Sequence, residues 1–313
     1  MNTWTSRELR TNDGAAEREL VRMNTKRAEM LMLFVTFCWG SSYLFMKTGL
    51  ESVGPFTLIA YRFGIAFAAA ALLPGRAWRS LTRPVIMAGV ITGALVFISF
   101  SCLVIGVEYT TTSNAGFITS LMVVFIPFVE KYGYGRPVRA GILFPSALSA
   151  AGVGFLTLHR GLSLNPGDLL CLCGAMLNAV QVCYASRLLV RMDALMLSVL
   201  QFGVTGLLGV AAAFLLESPA LPTGFSGWFS VGYLGLICSA FGFIAQLTAQ
   251  KYTSAERIGI LFCLEPVFAA MIGVIVLHEP FGTGSLIGAA LVLTGVILSG
   301  RSSRTDRRRE AEV

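Results

Sequence analysis

Long apolar runs alternate with short polar connections along almost the whole chain. A helix that spans a bilayer needs roughly 20 mainly apolar residues, and residues 30 to 300 divide into ten such runs. The predicted boundaries are 30–48, 55–74, 84–106, 111–131, 138–158, 167–187, 195–216, 227–249, 254–277 and 282–300. Because the connections are short, we expect an all-α integral membrane fold with no soluble domain between the helices.

The composition agrees with a membrane protein. Of the 313 residues, 55% are hydrophobic and only 13% are charged, which is far from the balance of a soluble domain. The net charge of +7 would suit nucleic acid if the basic residues clustered on one water-exposed face. They lie instead in the gaps between apolar runs. The expected surroundings are therefore a lipid bilayer, and no nucleic-acid partner is predicted.

The Lys and Arg residues are distributed unevenly between the two sides of the membrane. When the spans are counted from the N-terminus, 21 of the 24 basic residues lie on one side, Lys47 and Arg160 lie on the other, and Arg62 lies inside the second helix. Cytoplasmic connections are enriched in Lys and Arg. Both termini are therefore predicted to be cytoplasmic, with a disordered tail over 1–29 and a basic tail over 301–313. The bacterial inner membrane is the expected location.

The sequence contains the same pattern twice. At an offset of 143 residues, the first copy matches the second at Tyr109-Thr110 and Tyr252-Thr253, Gly116 and Gly259, Pro137 and Pro280, and Phe100 and Phe243. An offset of 139 joins Arg62 to Gln201 and Phe63-Gly64 to Phe202-Gly203. Each copy crosses the membrane five times, which is an odd number, so the two copies must lie in the membrane with opposite orientation. The pattern predicts two inverted five-helix repeats, over 30–159 and 167–300.

The ninth predicted helix carries Glu265 and Pro266 in its middle. Glu265 lies about eleven residues from the helix start, roughly 16 Å at 1.5 Å per residue, where a charged carboxylate costs about 2.5–3.5 kcal/mol. Pro266 cannot donate to the carbonyl of Phe262 and leaves that oxygen free. A carboxylate and a free carbonyl on adjoining turns suit an ammonium group or another cation. The alternative is that Glu265 bonds a neighbouring helix and Pro266 only bends its own. Met122 occupies the equivalent position in the first copy.

Other candidate binding residues are scattered over several helices. Arg62 lies deep in the second helix, where it either attracts a carboxylate or anchors the helix by reaching the headgroups. The remaining predicted substrate-binding residues are polar or aromatic: Trp39, Ser42, Tyr43, Asn178, Gln181, Tyr184, Gln246 and Phe262. Such groups either line a wet cavity or hydrogen-bond between helices. The spacing of three between Asn178, Gln181 and Tyr184 places them on one helical face.

Several stretches resemble a known transporter family. The runs WGSSYLFMK at 39–47, YRFGIAFAAA in the second helix, YTTTSNAGFITSL before the fourth, and YTSA…LEPVFAA…LHEP around the ninth are similar to the EamA-type branch of the drug/metabolite transporter superfamily. The resemblance implies two inverted repeats around a central cavity and the export of small organic metabolites. One departure is that Arg136 stands where the second copy has Glu279.

The predicted function is secondary transport of amino acids or related amphiphilic metabolites by alternating access, with export as the direction. A facilitator and a proton-coupled antiporter both remain open and depend on Glu265. A lipid-translocating or scaffold protein is the first rival, and an intramembrane enzyme the second, although no partner group at the depth of Glu265 supports catalysis. No Gly-rich phosphate loop is found and His159 and His278 lie far apart, so no cofactor and no metal are expected. The oligomeric state is left open.

Overall fold

The computed structural model describes residues 24–75, 78, 81–110, 112–135, 140–157, 165–277 and 283–311. In this part of the chain, the predicted all-α fold with ten helices is confirmed and no strand is found. Seven of the helices are continuous: α1 (Thr25–Leu50), α2 (Pro55–Ala70), α3 (Arg83–Tyr109), α5 (Ala140–Thr157), α6 (Pro166–Leu188), α7 (Ala194–Leu216) and α10 (Thr283–Ala311).

The other three helices are interrupted. The fourth, α4, consists of Thr112–Ser120, Met122–Phe128 and a π-helical turn over Val129–Gly133. The eighth, α8, consists of Gly224–Tyr233, a π-helical stretch over Leu234–Phe241, and Gly242–Gln250, and the ninth, α9, of Ala255–Phe262 and Glu265–Leu277. By length and composition, α1, α3, α4, α6, α7 and α8 can each cross a membrane, whereas α2, α5 and α10 contain shorter apolar stretches.

Polar side chains close the ends of several helices. The side chains of Asn24, Asn165, Asp193 and Ser254 accept hydrogen bonds from backbone amides in the first turns of α1, α6, α7 and α9, which satisfies donors that have no partner within the helix. The cap of α2 comes from another helix, because Glu217 after α7 accepts from the amides of Phe56 at 2.8 Å and Thr57 at 3.0 Å. This contact joins the end of α7 to the start of α2.

Two predicted boundaries differ from the structure. Helix α10 continues to Ala311, eleven residues beyond the predicted end at 300, and the Arg and Glu residues of this segment are good helix formers. Helix α2 ends at Ala70, four residues earlier than predicted. Other sequence predictions lie outside the described residues, namely those for the N-terminal segment 1–23 and for Arg136, Pro137, His159, Arg160, His278, Glu279 and Pro280.

Helices from the two halves of the sequence pack against each other. The pairs include α5 with α10, α2 with α7, α3 with α6, α4 with α6, and α1 with both α8 and α9. A Cβ atom on Gly152 would lie 2.8 Å from the carbonyl oxygen of Gly288, and one on Gly295 would lie 2.8 Å from that of Pro145. Since 152 and 145 each lie 143 residues before 295 and 288, these contacts are reciprocal, as a twofold relation between two units requires. The opposite orientation of the two units in the membrane stays a prediction.

Partly buried ion pairs tie helix ends together on the predicted cytoplasmic side. The Nε atom of Arg257, at the start of α9, donates to Glu29 of α1 at 3.0 Å, and its guanidinium also reaches the carbonyl of Val296 and the hydroxyl of Ser299 in α10. Arg187 of α6 pairs with Glu130 of α4 at 3.2 Å. Arg257, which the sequence predicts as a charge on the cytoplasmic side at the start of the ninth helix, therefore lies within the packed bundle with its side chain only 6% exposed.

Candidate functional site

A cavity lies where the interrupted helices α4 and α9 face α1, α3 and α6. The empty space, including the part that opens toward solvent, has a volume of ≈ 690 Å³. The lining residues come from seven helices: Trp39, Ser42, Tyr43, Met46, Arg62, Ser99, Phe100, Leu103, Thr119, Ser120, Met122, Gly174, Asn178, Phe243, Phe262 and Glu265.

The break in α9 places Glu265 in the cavity wall. The first segment ends in a tight turn, in which Leu264 donates to the carbonyl of Leu261 at 3.0 Å, and a new helical segment begins at Glu265. The carboxyl group therefore belongs to the first turn of the second segment of α9.

Two side chains on other helices interact with the Glu265 carboxyl. Tyr43 of α1 lies next to it and also faces Thr119, and Arg62 of α2 interacts with it from farther away. The close approach of α1 depends on Gly40, because a Cβ atom there would lie 2.8 Å from the backbone oxygen of Glu265. A carboxylate, a phenol and a guanidinium therefore face one cavity.

Arg62 is held in place by contacts that leave part of its guanidinium free. The residue is only 4% exposed, its Nε donates to the hydroxyl of Ser239 at 2.6 Å, and its guanidinium carbon lies 4.7 Å from the centre of the Phe100 ring. Among the residues that the structure describes, no carboxylate lies within ion-pair distance of it. The buried Arg62 charge is therefore oriented by Ser239 and Phe100 and remains available to an anionic group in the cavity.

Aromatic rings form one side of the cavity. Trp39 stacks on Phe262 with ring centres 5.2 Å apart and an interplanar angle of 21°, and its indole nitrogen donates to the carbonyl of Cys238 at 2.7 Å. Phe100 and Phe243, which the sequence pairs only as repeat positions, lie 5.9 Å apart. These rings offer an apolar surface beside the charged groups.

The opposite side of the cavity is neutral. Met122 follows the break in α4, and its sulfur accepts from the Nδ2 of Asn178 at 3.3 Å. Asn178 is the member of the predicted α6 face that reaches the cavity. The part of the lining formed by Met122 and Asn178 is therefore uncharged, in contrast to the part formed by Glu265 and Arg62.

Seven of the ten predicted binding residues line the cavity: Trp39, Ser42, Tyr43, Arg62, Asn178, Phe262 and Glu265. Gln181, Tyr184 and Gln246 do not. Gln181 instead donates to Gln201 at 3.0 Å, which corresponds to the alternative of a hydrogen bond between helices. Whether any of these residues binds substrate stays a prediction.

Sequence reasoning missed the contribution of α3. Ser99, Phe100 and Leu103 line the cavity, yet α3 has a long apolar sequence in which no single residue suggests a binding role. The repeat offset was the available signal, because it links Phe100 to Phe243. In the described part of the chain, no cluster of three or more His, Cys, Asp or Glu residues is arranged to hold a metal ion.

Comparison with known proteins identifies the kind of molecule that carries this cavity. The sequence profile of the EamA-like transporter family matches residues 26–158 and again residues 165–301. Relatives include an "Uncharacterized transporter" of Archaeoglobus fulgidus, 29% identical over 87% of this chain and 85% of the relative. The "Uncharacterized transporter YcxC" of Bacillus subtilis is 26% identical over 89% and 94%.

Two further comparisons extend this result. The "Uncharacterized inner membrane transporter YedA" of Escherichia coli is 24% identical over 83% of this chain and 86% of the relative. One crystal structure is similar to this fold with a TM-score of 0.75 and 20% identity, covering 90% of this chain and 98% of the other. These findings point to an integral membrane transporter of small molecules rather than an enzyme. The chain belongs to the EamA-like transporter family.

Proposed function

We propose that the protein is a secondary transporter that exports amino acids or related amphiphilic metabolites by alternating access. One observation supports this substrate class above all: Glu265 and Arg62 face the same buried cavity without forming a direct ion pair. An unpaired buried charge is costly in a membrane. A zwitterion between the two side chains would pair both charges at once.

Each part of the cavity then has a role in binding. Glu265 and the Tyr43 hydroxyl would bind the ammonium group, and the free part of the Arg62 guanidinium would bind the carboxylate. The rings of Trp39 and Phe262 would pack against the apolar part of the substrate. Hydrogen bonds to charged groups contribute about 1.5–3 kcal/mol each, so the charged ends supply affinity and the rings tolerate varied side chains.

Glu265 is also the residue on which proton coupling would depend. In the proposed exchange, the carboxyl group binds either a proton or the substrate ammonium group, so that each displaces the other. No other carboxylate lines the cavity in the described part of the chain. We further propose that both termini are cytoplasmic, as the distribution of Lys and Arg predicts.

Transport by purified protein in liposomes, with and without a pH gradient, tests the coupling role. In the wild type, the gradient should accelerate amino-acid transport, and Glu265→Gln should remove that acceleration. Glu256→Gln, on the same helix but outside the cavity lining, is the matched control and should respond to the gradient as the wild type does. An unchanged gradient response in Glu265→Gln would exclude the coupling role.

A further inference from the structure

Four glutamines at the meeting of α6, α7 and α8 lack hydrogen-bond partners for part of their amide groups. Gln181 and Gln201 are fully buried, and Gln246 and Gln250 are 1% and 3% exposed. Beyond the bond between Gln181 and Gln201, no described residue pairs with the Oε1 of Gln181, the Nε2 of Gln201, the Oε1 of Gln246 or either amide atom of Gln250. Buried polar groups in proteins are nearly always paired, so this set needs an explanation.

The glutamines continue the polar faces of the cavity toward one end of the bundle. On α6, Gln181 follows the cavity residue Asn178 by three positions, and on α8, Gln246 and Gln250 follow the cavity residue Phe243 by three and seven. These spacings keep the residues on one helical face. From Phe243 to Gln250 the rise is about 10 Å.

The far end of this glutamine face reaches the predicted cytoplasmic surface. Gln250 is the last residue of α8, and the next residue, Lys251, pairs with Asp193 at 3.8 Å. The Asp193 side chain is 66% exposed. The unpaired amides thus extend from the cavity wall to a charged, accessible rim.

The internal repeat explains why amides would be placed there. Arg62 and Leu103 line the present cavity, and the offsets of 139 and 143 relate them to Gln201 and Gln246. In an inverted-repeat transporter, the two halves exchange roles when the cavity changes the side to which it opens. Surfaces equivalent to the present lining would then form the opposite mouth.

We propose that Gln181, Gln201, Gln246 and Gln250 line the mouth through which the cavity opens to the predicted cytoplasmic side. Their amides would bind water and the polar ends of the substrate in that conformation, and are left unpaired when the mouth is closed. This proposal rests on the proposed alternating access. The four glutamines carry no charge, so a zwitterion would pass between them without being held by a second ion pair.

Thiol labelling of single substitutions in the full chain tests this proposal without knowledge of the substrate. The probe is a membrane-impermeant trimethylammonium methanethiosulfonate, applied to inside-out membrane vesicles, and the unsubstituted chain with its seven native cysteines gives the background. Gln246→Cys should react at least about tenfold faster than Leu247→Cys, because thiols react with such reagents only where water and reagent reach them. The two positions are equally deep and equally buried.

A second pair of cysteine variants keeps the test valid if a variant of the first pair fails to fold. Gln201→Cys should react faster than Val199→Cys, a fully buried neighbour on the same helix. Equal rates within both pairs would overturn the proposal.

Labelling of Leu103→Cys separates this proposal from the proposed function. Applied to right-side-out and to inside-out vesicles in turn, the same reagent reports from which side the present cavity is reached. If Leu103→Cys reacts and neither glutamine position does, only the glutamine-lined mouth is excluded. If Leu103→Cys reacts from neither side, the transport cavity itself is excluded.

Discussion

Helices α4 and α9 occupy equivalent places in the two copies of the repeat and break in the same way. In α4, Leu121 donates to the carbonyl of Ile118 at 3.1 Å, and in α9, Leu264 donates to Leu261 at 3.0 Å. The two donors are 143 residues apart in the sequence, and so are the two acceptors. The two breaks also touch, since the Cys263 sulfur lies 3.9 Å from the carbonyl oxygen of Ser120, again 143 residues apart.

The residues that follow the two breaks differ in chemistry. In α9 the break is followed by Glu265 and Pro266, and in α4 by Met122 and Val123. Since α4 breaks without a proline at this point, the interruption belongs to the repeated fold and Pro266 is not its only cause. The carboxylate is the feature that one copy has and the other lacks. The interruption of the helix is therefore common to both copies, whereas the charged side chain occurs in only one.

Moving the carboxylate from one copy to the other should have the largest effect. The substitution Glu265→Met should weaken amino-acid binding by about 10- to 150-fold, the equivalent of one charge-assisted hydrogen bond of roughly 1.5–3 kcal/mol. Adding Met122→Glu should not restore binding, because Met122 contacts Asn178, whereas Tyr43 and Arg62 interact with the carboxyl group at position 265. Equilibrium binding to purified protein measures both variants. Recovery in the double variant would show that the two walls are interchangeable.

The close approach of α1 to the second segment of α9 should matter next. In Gly40→Ala, the added carbon would lie 2.8 Å from the Glu265 oxygen and 2.9 Å from the Ala269 nitrogen, and overpacking of this kind costs about 1–3 kcal/mol. We expect a lower midpoint of thermal unfolding in detergent. Gly64→Ala is the matched control, since its added carbon would meet no atom within 4 Å. Equal midpoints for the two variants would contradict the close contact.

Replacing the proline should have the smallest effect. In Pro266→Ala, the new amide could pair with the carbonyl of Phe262, yet the equivalent break in α4 exists without a proline. We therefore expect the turn at Cys263 and Leu264 to persist and transport to change little. Hydrogen exchange across residues 260–268, measured together with transport, checks this expectation. Strong new protection of these amides would instead assign the break to Pro266.

Much of this arrangement can be predicted from the sequence, because polar and charged groups are costly inside a membrane. Ten apolar runs predict ten helices, and because a charged carboxylate at mid-depth is costly, the sequence marks Glu265 as a candidate binding residue. The offset of 143 residues indicates that α4 and α9 are equivalent helices in the two copies of the repeat. These inferences depend on composition and spacing, which the sequence contains directly.

The remaining features depend on packing between distant segments. Nothing in the sequence around Val123 indicates that α4 is interrupted at Leu121, two residues earlier. The cavity surface of α3 and the pairing of Arg62 with Ser239 arise only when the helices are assembled. Arg257 is a further example, since its ion pair with Glu29 inside the bundle cannot be predicted from its position at the start of the ninth helix. Local patterns therefore locate the elements, while contacts between them decide which side chains share the cavity.

The most direct test of the account is a thermal-shift comparison of purified protein with free amino acids and with two modified forms of each. N-acetyl amino acids lack the ammonium group that Glu265 would bind, and amino-acid methyl esters lack the carboxylate that Arg62 would bind. The account predicts that the free zwitterion raises the unfolding temperature more than either modified form, and that Glu265→Gln and Arg62→Gln each remove this advantage. Stabilisation by sugars or lipids, with none by zwitterions, would contradict it.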